Sequence, residues 1–171
     1  KNGTRPPTMP EAAKIISGLW GTGQMSFAKA IAVVDDRTLL TDGKRLLAYL
    51  LDTVDLDSDL TVTRGILDVL DHSSPQPLYG AKLGIDATPR IAGEQPRRGT
   101  GAVKVPPDGE ELLGHLKRID TGFAAARRLF TDCRNPLLLL AIDKENGKSS
   151  RHYIDRIDEE AFLRGVCVLY D

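Results

Sequence analysis

A run of small and β-branched residues from Ala28 to Asp35 most constrains the fold of this chain. Such a run predicts a strand that is covered on both sides, at the centre of a parallel or mixed sheet. Thr41 or Asp42 can cap a helix after it, because leucines then recur on one face of the following segment. Leu60 to Thr63 predicts another strand. The three segments together predict a right-handed βαβ unit with parallel strands.

Another helix is predicted ahead of this unit. Pro10 and Glu11 suit a first helical turn, since proline needs no hydrogen bond there and a carboxylate meets the positive end of the helix dipole. Gly21 and Gly23 then end the helix.

The residues after Pro107 predict further helices. Apolar positions from Leu112 to Phe130 recur at helical spacing and indicate one long helix, or two helices that break near Gly122. Near the end of the chain, Asp158 can cap a short helix that Gly165 ends.

The same part of the chain also predicts strands. Leu137 to Ile142 is a continuous apolar run typical of a buried strand, and Val166 to Tyr170 predicts the last strand. Between them, Asn146-Gly147 favours a type I′ turn into a strand over Arg151 to Ile157, which would form a hairpin. The elements predict a three-layer α/β/α fold with a mixed, mostly parallel sheet, in a single domain over residues 1–171.

Periodicity lapses between residues 71 and 107, where six prolines punctuate the sequence. Loops longer than about 12–15 residues without structure of their own are uncommon unless they have a role. We therefore expect residues 71–107 to form a long loop that is functional or ordered by contact with a neighbouring subunit.

The balance of charges excludes some classes of function. The 171 residues include 23 basic and 24 acidic ones, for a formal net charge of -1, and 5% are aromatic. This composition gives no general attraction to nucleic acid and few rings on which bases can stack. Nucleic-acid binding is therefore not expected.

The cysteines and the length of the apolar runs indicate the cellular compartment of the protein. Cys133 and Cys167 form no zinc or redox motif and are predicted to be reduced. No apolar run approaches the roughly 20 residues that span a bilayer, so no transmembrane segment is expected and the cytoplasm is the predicted compartment. The chain starts at Lys1 rather than at methionine, which indicates a segment of a longer protein.

A glycine-bracketed lysine gives the strongest indication of a site. Lys82 lies in the segment Tyr79 to Thr88, where Gly80 and Gly84 let backbone amides approach an anion while the lysine supplies a positive charge. The spacing is not that of a P-loop. Two interpretations stay open on these residues: contact between Lys82 and a phosphate, or an ordinary turn with an exposed charge.

Other charged residues flank this segment. Asp35 and Asp36 end the first strand and are expected to cap the loop there, with ligand binding at the sheet edge as the alternative. A basic stretch follows Thr88, and we expect it to contact an acidic ligand or, preferably, a neighbouring subunit. Its members are Arg90, Arg97, Arg98 and Lys104, against the single acid Glu94.

Four segments, in this order, resemble the carboxy-terminal part of the UbiD family, the decarboxylases that use a prenylated flavin mononucleotide. They are the helix that ends Leu19-Trp20-Gly21, the strand that ends Val33-Val34-Asp35-Asp36, the stretch Asp57 to Val62, and the stretch Gly80 to Thr88. The later segment from Leu112 to Asp171 resembles the longer carboxy-terminal extension of the family branch that acts toward menaquinone.

The resemblance implies a carboxy-terminal α/β domain in which Lys82 reaches the phosphate of the prenylated flavin mononucleotide. The family's catalytic arginine and glutamates, and its ligands for the divalent metal at the cofactor phosphate, belong to an upstream domain. The chain alone is therefore expected to be an inactive part of a carboxy-lyase.

For the intact protein, the resemblance implies non-oxidative decarboxylation of an aromatic or α,β-unsaturated acid, in ubiquinone or menaquinone biosynthesis. A homo-oligomer is expected, as is a flavin prenyltransferase that supplies the cofactor. The alternative is a non-catalytic assembly module that binds neighbouring subunits. A nucleotide-binding regulatory domain is disfavoured, because no dinucleotide fingerprint follows a strand.

Overall fold

The computed structural model forms two compact units, each with its own three-stranded sheet. The first unit comprises Lys1–Leu46 and Thr53–Arg98, and the second comprises Leu47–Asp52 and Gly99–Asp171. The structure describes residues 11–90, 94, 96, 97, 108–143, 147–158 and 166–170, with Asp158 and the last segment described by their backbone alone.

The first unit pairs its three strands in the order β1, β3, β2. Strand β1 runs parallel to the central strand β3, and β2 runs antiparallel to β3. The elements over this part of the sequence are, in chain order, helix α1 (Glu11–Trp20), a 3-10 turn (Gly23–Phe27), β1 (Ala30–Val33), a second 3-10 turn (Arg37–Thr41), α2 (Gly43–Thr53), β2 (Leu60–Ile66) and β3 (Tyr79–Asp86). The Leu47–Asp52 part of α2 belongs to the second unit.

Both predicted helices of this region are confirmed. Helix α1 starts at Glu11, packs on β1 and β3 and buries Ala12 and Ile16. Helix α2 is capped by Asp42, whose Oδ1 accepts hydrogen bonds from the amides of Lys44 (3.0 Å) and Arg45 (3.1 Å).

The predicted βαβ unit is wrong in its strand pairing. Strand β1 lies at an edge of the sheet rather than at its centre, and its parallel partner is β3. Because β2 is antiparallel to β3, the strands β1 and β2 run in opposite directions on either side of it. The sequence pattern predicted β1 and β2 as strands. The central strand of the sheet, however, is a segment that the pattern did not predict to be a strand.

That missed segment is β3, so the predicted loop over residues 71–107 is wrong between Tyr79 and Asp86. Glycines made the segment resemble a loop, since Gly weakens a strand in isolation. They are required by packing instead. A Cβ on Gly84 would lie 2.8 Å from Cγ2 of buried Ile16, and a Cβ on Gly80 would lie 2.7 Å from Cδ1 of Leu67.

The second unit pairs its strands in the order β4, β5, β6. Strand β4 is antiparallel to β5, and β5 is parallel to β6. The elements are α3 (Glu110–Ile119), β4 (Phe123–Leu129), β5 (Leu137–Ile142), α4 (Ser150–Asp158) and β6 (Val166–Tyr170). Its core cluster consists of Leu112, Leu116, Phe123, Leu138, Leu140, Ile142 and Tyr153. The predicted strands at β5 and β6 are confirmed.

The prediction of helix beyond Gly122 is wrong, because residues 123–129 form β4. The helix stops in a turn at Asp120, whose Oδ1 accepts the amide of Gly122 (2.9 Å) and whose carbonyl accepts the amide of Phe123 (3.3 Å). The alanines that follow suit a helix, but pairing of the segment with β5 outweighs their weak intrinsic preference.

The predicted hairpin after β5 is also wrong. Residues 150–158 form helix α4, with Oγ of Ser149 accepting the amide of His152 at 3.3 Å. The neighbour of β5 on that side is β6, which lies further along the chain. The short helix predicted between Asp158 and Gly165 falls outside the described residues.

The chain is thus an α/β protein with mixed sheets, as predicted at the coarser level. Each sheet joins one parallel and one antiparallel pair, so the expectation of a mostly parallel sheet is not met. The three-layer arrangement and the single domain remain predictions. Within the part of the chain that the structure describes, no helix is both long and apolar enough to cross a membrane.

An alanine at position 84 should destabilise the protein by about 1–3 kcal/mol, because its methyl group overlaps Ile16 in a region without space. The matched control is Gly18→Ala in α1, where nothing lies within 4 Å of the added Cβ. That change should stabilise by roughly 0.5–1 kcal/mol through helix propensity. Urea unfolding of the two variants measures both effects, and equal stabilities would contradict the packing of β3.

The Asp120 carboxylate anchors α4 to the turn before β4. Its Oδ2 accepts Nζ of Lys148 at 2.5 Å and Nε2 of His152 at 2.8 Å. These bonds, Lys148 first, together with the amide of Gly122, hold the pKa of Asp120 well below its usual range. A depressed carboxylate pKa stabilises the fold above the unfolded value, and this stabilisation disappears as the pH falls.

Acid titration should therefore show a steeper loss of stability in the wild type than in Asp120→Asn, across the range below about pH 5. The control is Asp155→Asn, which removes an exposed ion pair with Arg151 on the same helix and should leave the slope unchanged. The measurement is the free energy of unfolding at a series of pH values. Identical slopes for wild type and Asp120→Asn would rule out this linkage.

Candidate functional site

The predicted site residue Lys82 lies inside the first unit, with 4% of its surface exposed. It is on the face of β3 that also carries Gly80 and Gly84, and this face is covered by α1. The Nζ atom donates to the carbonyl of Ala28 at 3.0 Å and to the carbonyl of Ser26. The interpretation of this segment as a turn with an exposed charge is therefore wrong.

An indole ring forms one wall of the lysine site. Nζ of Lys82 lies 5.7 Å from the centroid of the Trp20 ring, within the range of a cation–π contact. Nε1 of the same indole donates to the carbonyl of Ala28 at 3.0 Å, so the ring and the ammonium share one acceptor. The hydrogen bond from Nε1 and the contact with the ammonium together fix the orientation of the indole ring.

The charge of Lys82 has no anionic partner among the described residues. Burial lowers the pKa of its ammonium, because a low-dielectric surrounding disfavours the charged form. The two carbonyls use two of its three donors. The third donor has no hydrogen-bond partner among the described residues.

Gly65 on β2 leaves room for the side chain of Lys82. This glycine was not among the residues predicted from the sequence. A Cβ at this position would lie 2.9 Å from Cε and 3.1 Å from Cδ of Lys82. Any other residue in this position would force the aliphatic stem of the lysine to shift. The signal in the sequence is an isolated glycine within a strand rich in β-branched residues.

A buried carboxylate holds the segment after β3. Asp59 is 3% exposed, and its two oxygens accept Nη2 of Arg90 and Nε of Arg97. Nη2 of Arg97 also donates to the carbonyls of Asp86 (3.2 Å) and Thr88 (2.9 Å). The network ties the carboxyl end of β3 to the turn before β2.

The two described arginines of the basic stretch, Arg90 and Arg97, pair with Asp59 within their own unit. Contact of the stretch with a ligand or another subunit stays a prediction. The other two basic residues, Arg98 and Lys104, lie outside the described residues. Sequence reasoning missed Asp59 as their partner because 31 and 38 residues separate it from the two arginines.

Asp36 caps the loop after β1, as predicted. Its Oδ1 accepts the amide of Thr38 at 2.8 Å, and the side chain and amide of Thr38 lower the pKa of the Asp36 carboxyl. Asp35 beside it is exposed. The described contact of Asp36 is that of a loop cap, and ligand binding at this edge of the sheet stays a prediction.

A comparison with known protein families identifies the domain over residues 3–87. Residues 3–87 match the profile of the 3-octaprenyl-4-hydroxybenzoate carboxy-lyase carboxy-terminal domain, which defines this part of UbiD proteins. Through these residues the chain belongs to the UbiD family. The match contains α1, all three strands of the first sheet, and Lys82.

Several uncharacterized proteins are similar to this chain in sequence. An uncharacterized protein of Helicobacter pylori is 30% identical over 136 residues, which is 79% of this chain and 21% of that protein. An uncharacterized protein of Aeropyrum pernix is 39% identical over 82 residues, covering 47% of this chain and 17% of that protein. The chain therefore spans about a fifth of the length of the curated relatives that it matches.

Among solved structures, the vanillic acid decarboxylase of Sedimentibacter hydroxybenzoicus in its closed form is similar. It is 24% identical and has a TM-score of 0.49, with 67% of this chain and 24% of that chain covered.

Replacing Asp59 by asparagine should destabilise the UbiD domain by about 3–5 kcal/mol, because two arginines would lose their common counter-ion. The control is Asp57→Asn two residues earlier, where the side chain is exposed and a change within about 0.5 kcal/mol is expected. Thermal unfolding measures both variants. A loss in Asp59→Asn no larger than in the control would show that the arginines do not depend on this carboxylate.

Proposed function

We propose that the intact protein is a carboxy-lyase of the UbiD type and that this chain supplies its carboxy-terminal domain. The match of residues 3–87 to the carboxy-terminal domain of a carboxy-lyase carries the proposal. Because the chain is about a fifth of the length of its relatives, the reacting groups are proposed to lie on the upstream part of the protein. The chain alone is accordingly proposed to be inactive.

The proposed cofactor is prenylated flavin mononucleotide, and Lys82 fits a contact with its phosphate. The ammonium is buried, lacks a carboxylate partner among the described residues, and keeps one donor beyond those that Ser26 and Ala28 engage. A phosphate oxygen would complete this donor set with a charge-assisted hydrogen bond. When bound, the flavin supplies the electron sink for loss of carbon dioxide. A divalent metal at the phosphate is proposed to be held by the upstream domain.

The role of this domain is binding and positioning. The carbonyls of Ser26 and Ala28 and the Trp20 ring hold the lysine in one place before any ligand arrives. The Asp59 network fixes the far end of the same strand. A cation on such a supported strand loses little freedom on binding, which favours affinity.

The remaining parts of the proposal rest on the family alone. The substrate is proposed to be an aromatic or α,β-unsaturated acid, in ubiquinone or menaquinone biosynthesis, and the cofactor to come from a flavin prenyltransferase. The protein is proposed to act in the cytoplasm as a homo-oligomer.

An uncovered sheet face supports the alternative, a non-catalytic assembly module. Val62 and Ile66 on β2 are 73% and 55% exposed, and Tyr79 opposite Ile66 is 40% exposed. Cross-strand partners point to the same face, so these apolar side chains lie on one face of the sheet, with the exposed Arg64 between Val62 and Ile66. Exposed apolar patches of this kind mark protein contacts. The two functions are compatible, but the alternative needs no cofactor.

The deciding experiment expresses the full-length protein together with a supply of prenylated flavin and measures bound cofactor by its absorption spectrum. Lys82→Met keeps the aliphatic stem but removes the charge, and it should weaken cofactor binding about 10- to 100-fold. Lys14→Met, on an exposed position of α1, is the matched control and should retain full cofactor.

Circular dichroism and sedimentation of both variants separate loss of cofactor from loss of fold or assembly. A Lys82→Met protein that is folded and still fully loaded would refute the phosphate contact. If the wild type also bound no flavin, the assembly module would be the better description.

A further inference from the structure

The second unit contains a buried guanidinium with two nitrogens that have no hydrogen-bond partner among the described residues. Arg128 on β4 is 5% exposed, and its Nε and Nη2 atoms are buried without a hydrogen-bond partner. This residue lies outside the UbiD match at residues 3–87. Its neighbour Arg127 is exposed, so the burial is specific to one of two consecutive arginines.

An unpaired guanidinium in this position is costly. Arginine cannot shed its proton to avoid burial, and each buried donor without an acceptor loses the bonds that it made to water. Burial lowers the pKa of Arg128, while the Asp108 carboxylate nearby raises it. Asp108 Oδ1 accepts the amides of Gly109 (2.8 Å) and of Arg128 itself (3.0 Å), and neither Nε nor Nη2 of the guanidinium has a hydrogen-bond partner.

The strand register shows which way Arg128 points. Arg128 is opposite Leu138, and directly opposite residues of an antiparallel pair face the same side of a sheet. Leu138 is in the core cluster with Leu112 and Leu116 of α3. The Arg128 side chain therefore lies on the face that α3 covers.

The amino end of α3 is next to this side chain. The bond from the amide of Arg128 to Asp108 brings the start of the helix to this point of β4. Gly109 precedes the helix and has no side chain with which to cap its first amides. Glu110 and Glu111 follow, but both are exposed and so are solvated by water. The start of α3, which has no side-chain cap at Gly109, is thus next to Arg128 along β4.

We propose that the Arg128 guanidinium and the amino end of α3 bind the oxyanion group of a small molecule, a phosphate or a carboxylate. The planar fork of arginine donates two parallel hydrogen bonds to such a group, and the positive end of the helix dipole adds to the attraction. The site is independent of the Lys82 contact, because the two residues lie in different units.

The test measures the melting temperature of the whole chain in sodium phosphate against sodium chloride of equal ionic strength, with sodium acetate as a third arm. At about ten times the dissociation constant of phosphate, the wild type should melt roughly 3–6 °C higher than in chloride. Arg127→Met should give the same rise, and Arg128→Met should give none. A rise in acetate alone would identify a carboxylate rather than a phosphate as the ligand group.

A second measurement needs no destabilising substitution. The Nε–Hε signal of Arg128 in the wild type, assigned by its absence in Arg128→Lys, should shift and saturate as phosphate or acetate is added. The proposal is overturned if Arg128→Met shows the same anion-specific rise as the wild type. It is also overturned if neither anion raises the wild-type melting temperature above chloride and the Arg128 signal stays in place.

Discussion

The first unit depends on the close approach of β3 to the elements around it. Its glycines at positions 80 and 84 leave room for Leu67 and Ile16, and Gly65 on β2 leaves room for the stem of Lys82. Without a Cβ at these positions, the strand can pair on both edges while a helix packs on its face. The Lys82 side chain is therefore buried rather than exposed. Burial makes it costly to leave the positive charge without an anionic partner.

The buried charged residues Asp59, Lys82 and Arg128 are of two kinds: those that form an ion pair with a described residue and those that do not. Asp59 is paired with two arginines and accepts further hydrogen bonds, which offsets its desolvation locally, although Nε of Arg90 is buried without a hydrogen-bond partner. Lys82 and Arg128 are also buried, yet no described carboxylate forms a salt bridge with either. The first kind of site stabilises the fold. Under our proposals, the cations of the second kind bind a negative group.

Several local elements could be predicted because short-range physics decides them. The helix at Glu11–Trp20, the Asp42 cap and the strand at Leu137–Ile142 follow from caps and apolar spacing within a few residues. The phosphate contact of Lys82 was predicted from its glycine neighbours and from the family resemblance, and it stays a prediction. The surroundings of Lys82 could not be predicted, since Ser26 and Ala28 lie more than 50 residues away in sequence, at separations of 56 and 54.

Two of the failures share one physical cause. The segment Tyr79–Asp86 has glycines that weaken a strand locally, and Phe123–Leu129 has alanines that favour a helix, yet both are strands because neighbouring strands satisfy their backbone groups. The sequence by itself determined which segments carry apolar faces, where α1 and α2 begin, and that residues 3–87 belong to a carboxy-lyase family. Only the tertiary structure decided which strand is central, which charges pair and which stay unpaired, because those outcomes depend on contacts between residues that are distant along the chain.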